Sequence, residues 1–154
     1  MPSAQGSVSI RRSPAEVFAF IADGTNASKW RSGVLDVSHV SGTGVGAVYR
    51  QGVRGPGGRR IAADYEVTAF EQDRRLAFQA IAGPVRPRGE YQLRPNGDGT
   101  ELSFSLDAEL TGWKKWLMGG AVQKTMDAEV EALQKLKEVL EAGLARPAGI
   151  EPAT

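Results

Sequence analysis

The sequence predicts an α+β fold: a curved antiparallel sheet of six to seven strands wrapped around a long C-terminal helix, with two short N-terminal helices closing one end. Three observations carry that prediction. Composition shifts along the chain, from a first two-thirds rich in β-branched and aromatic residues to a last third dominated by Ala, Leu, Glu and Lys, with no linker between. The β-type stretch is divided by short turn clusters, as hairpins require. The last third repeats apolar residues every three and four positions, the period of an amphipathic helix. A helix and a sheet that each carry one apolar face are satisfied by covering one another.

Each element has its own local reason. Ser7–Arg11 alternates and forms a short first strand. Ser13 as N-cap, Pro14 at the first helical position and Glu16 closing a capping box start a helix whose Val17, Phe20 and Ile21 share a face. Gly24 after Asp23 is placed to end it in the left-handed conformation, and Asn26–Trp30 forms a further helical turn anchored by Trp30. Strands follow near Val34–Val40, Ala47–Arg54, Arg59–Phe70, Arg75–Ala82, Pro87–Arg94 and Thr100–Leu110. Their separators contain Gly42, Gly44 and Gly46, then Pro56-Gly-Gly58, Gln72-Asp73, Gly83-Pro84 and Asn96-Gly-Asp-Gly99, short enough for an antiparallel meander. The final helix runs from about Trp113 to Ala142, with Val122, Met126, Val130, Leu133, Leu136 and Leu140 as its stripe. Gly119-Gly120 is expected to bend or weaken it, at about 1 kcal/mol per Gly relative to Ala. Residues 5–143 read as one domain and 144–154 as a frayed tail.

Alternation assigns an inward face. In the last strand Leu102, Phe104, Leu106, Ala108 and Leu110 share it; neighbouring strands add Tyr49, Gln51 and Val53, then Ile61, Ala63, Tyr65 and Val67, then Leu76, Phe78 and Ala80, then Gly89, Tyr91 and Leu93. Ala63, Ala80, Gly89 and Ala108 are small where a filled core wants bulk, while Tyr49, Gln51, Tyr65 and Tyr91 bring polar tips inward. A buried hydroxyl or amide without a partner costs about 1–3 kcal/mol, so these groups ask for a protein bond, a water or a ligand. An apolar chamber with a few convergent polar groups has the character of a small-molecule site.

Composition excludes several alternatives. The chain of 154 residues has no Cys and one His, which removes disulfides, thiolate metal sites and multi-histidine centres. Basic and acidic residues nearly cancel to +1, leaving no global field for nucleic acid, although residues 1–94 carry 13 basic against 8 acidic side chains. No apolar run approaches the roughly 20 residues of a membrane span, and the N-terminus lacks signal-peptide character, so a cytoplasmic protein without integral membrane association is expected. No cofactor and no metal are implied.

Several motifs have plainer readings beside the chemical one. Gly42-Thr-Gly44-Val-Gly46-Ala47 matches a dinucleotide fingerprint, but a strand pattern follows it instead of a helix, so it is a hairpin turn. His39 titrates in the range useful to a general base and has no second signal beside it. Asp64 and Glu66 share a face opposite Tyr65 and read as a charged outer surface. The arginines from Arg50 to Arg94 lack the outward aromatics of a stacking platform and read as solvated protection of strands. Trp113-Lys-Lys-Trp116-Leu-Met118 is either a gate or membrane-touching segment, or a helix start whose indoles cover the end of the sheet.

In its order and local phrasing the chain resembles the SRPBCC superfamily of START-like helix-grip domains, and within it the polyketide cyclase/dehydrase-like group. The resemblance rests on Ser13-Pro-Ala-Glu-Val-Phe-Ala-Phe-Ile-Ala-Asp23 after a first strand, Trp30, Gly44-Val-Gly46 and Tyr65-Glu-Val-Thr-Ala-Phe-Glu71. It continues through Arg74-Arg-Leu-Ala-Phe78, Gly89-Glu-Tyr91 and Gly99-Thr-Glu-Leu102. It implies a deep cavity between sheet and C-terminal helix. The expected function is binding of a small hydrophobic molecule, polyketide-, aromatic- or lipid-like, with Trp30, Tyr49, Gln51, Tyr65, Phe78, Gly89, Tyr91, Phe104, Trp116 and Met126 as contacts. The alternatives are a polyketide cyclase or dehydratase acting in that cavity, with Tyr65, Tyr91 or Gln51 polarising a carbonyl, and a protein-interaction module.

Overall fold

The computed structural model describes residues 3–83, 85–108 and 112–143, with the side chains of Pro56, 112–122 and Thr125 outside the description. One antiparallel sheet contains β1 (Ser3–Ile10), β2 (Val34–Ser41), β3 (Val48–Arg54), β4 (Arg60–Ala62), β5 (Tyr65–Glu71), β6 (Arg75–Ala80), β7 (Arg88–Asn96) and β8 (Gly99–Asp107). Their order across the sheet is β1-β8-β7-β6-β5-β3-β2, with β4 paired to β3 off that path. The first two strands therefore lie at opposite edges, and the chain between them crosses from one to the other as α1 (Pro14–Ala22) and a 3-10 turn (Gly24–Lys29). The long helix α2 spans Gly112–Gly143 and is continuous through Gly119-Gly120. It runs beside β1 in the same direction, since the Ser3 amide bonds Gln123 and the Arg11 amide bonds Glu141. Among the described residues no helix is long and apolar enough to cross a membrane.

The capping box forms as the sequence predicts: the Glu16 amide donates to Ser13 Oγ at 3.2 Å, and the Ser13 amide to Glu16 Oε1 at 3.0 Å. The helix end differs from expectation. Asp23 closes α1 in an extended conformation and caps the 3-10 turn through Thr25, and Gly24 is not left-handed. Gly24 is needed for space: a Cβ there would strike the Tyr65 hydroxyl and the Tyr49 ring. Gly42, Gly44 and Gly46, with φ of 77°, 65° and 92°, form the β2–β3 hairpin, and a strand follows them.

The single strand expected over 59–70 is two. Between β4 and β5, Ala63 and Asp64 leave the ladder and bond β3 instead: the Ala63 amide donates to Gln51 O at 2.8 Å and the Gln51 amide to Asp64 Oδ1 at 3.2 Å. β5 also carries a bulge between Val67 and Ala69, which brings Val67 and Phe70 to the same face. Elsewhere the register pairs the expected inward residues with one another: Tyr49 with Tyr65, Phe78 with Gly89, Tyr91 with Phe104, Leu93 with Leu102. The last predicted strand residue, Leu110, lies outside the described residues, as does the tail 144–154.

Packing of the inner face is uneven along its length. Toward the C-terminal end of α2, Ile10, Val17, Phe18, Leu102, Leu136 and Leu140 are at most 1% exposed. Toward the other end, Tyr65 and Phe78 point to the same side yet remain only half-buried, as do Val53 and Ile61 on the β3–β4 pair. Among the described residues the interior is fully buried at one end and half-buried at the other.

Candidate functional site

An arc of rings crosses the inner face. Tyr49 stacks on Tyr65 with centroids 5.1 Å apart, Tyr65 meets Phe78 at 5.5 Å, and Phe78 meets Tyr91 at 6.3 Å and Phe104 at 6.4 Å. Tyr91 and Phe104 stack at 4.4 Å, and Trp30 stands edge-on to Tyr91 at 6.4 Å. Alternation supplies the five strand rings, each on an inward position of its strand and set side by side by the cross-strand register, while Trp30 reaches them from the end of the 3-10 turn. Gly89 gives Phe78 its seat, because a Cβ at that position would lie 2.5 Å from Cζ of the ring. Six of the ten contacts expected from the sequence thus form one aromatic wall, and a seventh, Gly89, makes room in it. Met126, 3% exposed, belongs to the same apolar cluster from the side of α2. The Trp116 side chain lies outside the described residues.

The polar tips differ in what they do. Gln51 is engaged within the protein at both ends of its amide: its Nε2 donates to Ala63 O at 3.1 Å and its Oε1 accepts from Arg31 Nη1 at 3.2 Å. Tyr49 donates a long bond, 3.5 Å, to Ala22 O. The hydroxyls of Tyr65 and Tyr91 have no hydrogen-bond partner among the described residues. Burial pushes both phenols above their ordinary pKa, against the opposing charge of Arg31, so both stay protonated.

Arg31 is the residue that sequence reasoning missed. Its amide bonds Ala27 O and its carbonyl receives the Val34 amide, so the turn between the 3-10 segment and β2 fixes its backbone. The side chain makes a two-pronged pair with Glu129 of α2, Nε to Oε1 at 2.7 Å and Nη2 to Oε2 at 2.8 Å, both side chains being less than one-fifth exposed at 17% and 18%. Burial works against the Arg31 charge; the Glu129 charge and hydrogen bonds outweigh it and hold the guanidinium charged. Nothing in the pattern around Trp30 announces this arginine. Glu129 was missed as well, although its spacing, three residues after Met126 and four before Leu133, places it on the buried stripe and could have found it.

The other candidates take different places. His39, exposed on the β2 edge strand, stands beside the Tyr49 end of the arc with ring centroids 5.1 Å apart, and its Nε2 lies 2.6 Å from Gly42 O, a hairpin contact. Asp64, expected on a charged outer surface, instead receives the Gln51 amide at the strand break. Of the outer arginines, Arg60 pairs with Asp36 at 2.8 Å, Arg75 with Glu71 and Glu90, and Arg88 with Asp107. Among the described residues no group of three or more His, Asp or Glu is placed to hold a metal ion. Two grooves bounded by described residues, of about 300 and 420 Å³, lie at the β7–β8 hairpin and between β1 and α2, away from the arc.

An open antiparallel sheet gripping one long C-terminal helix is the START-like, helix-grip arrangement of the SRPBCC superfamily. Over residues 1–141 the chain matches the family described as polyketide cyclase / dehydrase and lipid transport, and it belongs to that family. No curated protein sequence matches it. Among solved structures it is similar to TTHA0849 from Thermus thermophilus, with 24% identity, a TM-score of 0.77 and coverage of 92% of this chain and 99% of that one. It is similar also to the Zhui aromatase/cyclase from Streptomyces sp. R1128 (15% identity, TM-score 0.70, 96% and 97% covered). A STAR-related lipid transfer protein from Xanthomonas axonopodis shares 19% identity with a TM-score of 0.66, 90% and 85% covered. At these identities the structural likeness establishes the fold.

Proposed function

We propose that the protein binds a small, largely apolar molecule, aromatic or lipid-like, against the aromatic arc between the sheet and the N-terminal half of α2. The observation that carries this reading is the arc itself: six aromatic side chains meet on one inner face whose half-buried end includes Tyr65 and Phe78. Rings set side by side, stacked or tilted against one another, offer a flat apolar guest a large contact area with little loss of side-chain freedom. The family description, which joins polyketide cyclases to lipid transport, agrees with such a guest. Native mass spectrometry of the purified protein is expected to reveal co-purified apolar compounds. Phe78→Ala is expected to weaken binding of 2-ethylnaphthalene, followed by quenching of Trp fluorescence, by about tenfold. Equal binding by both proteins, or none by either, contradicts the assignment.

A second reading, catalysis of cyclisation or dehydration on a polyketide-like chain, is favoured by one observation: the protonated hydroxyls of Tyr65 and Tyr91, without a hydrogen-bond partner among the described residues, feel the Arg31 charge. Groups of that kind polarise a carbonyl, while the walls hold the chain folded. On this reading Tyr65→Phe and Tyr91→Phe lower turnover far more than affinity.

A further inference from the structure

The long helix meets the two edges of the sheet on different terms. Along the β1 edge it is fastened at both ends: Ser3 bonds Gln123, Lys137 bonds Ser9, and Arg11 and Arg12 hold the last turn at Leu140 and Glu141. On the β2 side, among the described residues, one polar contact reaches α2, the two-pronged pair of Arg31 with Glu129. Arg31 belongs to a segment between Gly24 and Gly33 that runs as the 3-10 turn and then leads into β2. Gly33 gives it a loose junction, since a Cβ there would meet nothing within 4 Å. The same segment carries Trp30, whose ring stands edge-on to Tyr91. That half of the arc is shut: Trp30, Tyr91, Phe104 and Met126 are 6%, 6%, 4% and 3% exposed, whereas Tyr65 and Phe78 are half-buried.

We infer that residues 24–33 form a flap over the buried half of the arc, that the Arg31–Glu129 pair is its clasp, and that the guest enters when the clasp opens. The inference rests on the arc being the ligand site and adds the route into it. A guest as broad as a ring does not pass Trp30 and Tyr91 while both are nearly fully buried, so something must move. The β1 seam is tied at both ends, and the β2 side is tied by one side-chain pair. That pair suits a clasp. Its fork holds one geometry when closed, yet the side chains keep 17% and 18% exposure, so water reaches both charges when they part. The clasp opens and closes in the empty and in the filled protein alike. It therefore governs the rates of entry and exit and leaves the affinity nearly untouched.

Stopped-flow Trp fluorescence of the full chain with 2-ethylnaphthalene tests it. Glu129→Gln weakens the clasp in both states, so association and dissociation should each quicken about tenfold while Kd changes by less than about threefold. Glu141→Gln, which loosens the β1 seam instead, should leave both rates at the wild-type values. A second readout needs no ligand. With Trp113→Phe and Trp116→Phe in place, Trp30 is the remaining indole, and its quenching by acrylamide should rise about threefold on adding Glu129→Gln. Faster exit with unchanged entry and a correspondingly weaker Kd would make Glu129 a wall of the site and overturns the clasp. Unchanged rates, equal acceleration by Glu141→Gln, or Trp30 quenching that stays at its starting value overturns it too, and each leaves the aromatic site standing. If 2-ethylnaphthalene binds neither protein, the ligand site itself is wrong and the flap has no guest to admit. Should Glu129→Gln fail to fold, Arg31→Lys keeps the charge, loses the fork and is expected to raise both rates in the same way.

Discussion

Gly89 and Arg31 show how single positions shape the site. A ring can lie flat across a strand only where the facing residue leaves room, and Gly89 leaves it for Phe78: any Cβ there approaches the ring to 2.5 and 2.8 Å and Leu106 to 3.1 Å. Gly89→Val therefore overpacks the wall, with an expected loss of about 1–3 kcal/mol and a lower melting temperature. An unchanged thermal melt would show that Phe78 moves aside freely. The Arg31–Glu129 pair poses the opposite problem, a charge pair in a largely apolar interior. Removing one partner strands the other, so Arg31→Met or Glu129→Leu alone is expected to cost about 2–4 kcal/mol, while the double variant returns most of that. Denaturant melts of the four proteins measure the coupling. Additive losses would mean that the two charges are independently solvated and that the pair does not organise the site.

At the scale of elements, what was legible in the sequence is what depends on local chemistry. The capping box at Ser13 and Glu16, the Gly-rich hairpin before β3 and, among the described side chains of α2, the buried Met126, Leu133, Leu136 and Leu140 each arise from residues a few positions apart, and each stands where expected. Period-2 alternation sufficed to place Tyr49, Tyr65, Phe78, Tyr91 and Phe104 on one face. What escaped depends on partners distant in sequence. The break at Ala63-Asp64 exists because those residues bond Gln51 on another strand, and the bulge after Val67 follows from pairing with β6. Gly24 looks like a helix terminator by its neighbours, but its smallness serves two tyrosines from β3 and β5. Arg31 looks like a surface charge until α2 brings Glu129 to it.

For the whole molecule, the grip depends on fastening the C-terminal end of α2 to the junction of β1 and α1. Arg12 donates to the carbonyls of Leu140 at 3.1 Å and Glu141 at 2.8 Å, satisfying groups that a helix end leaves open, and Thr100 holds the Arg12 carbonyl at 2.7 Å. Glu141 completes the fastening: Lys137 donates to it at 2.6 Å and the Arg11 amide at 2.8 Å, while Lys137 also reaches Ser9 O. These bonds, Lys137 first, push the Glu141 carboxyl from its ordinary 4.5 down to about 2. The unfolded chain then binds a proton more readily than the folded one between those two values. The stabilisation from Glu141 is complete above about pH 5 and is lost as acid takes the pH down through the range toward 2. Both basic partners stay charged throughout that range, so the loss belongs to the carboxyl. Glu141→Gln should lower stability at neutral pH and flatten the decline in urea midpoint between about pH 5 and 2.5 relative to the wild type. If the two proteins instead lose stability in parallel, the fastening does not depend on the Glu141 charge, and the fully buried end of the interior holds α2 by apolar packing alone.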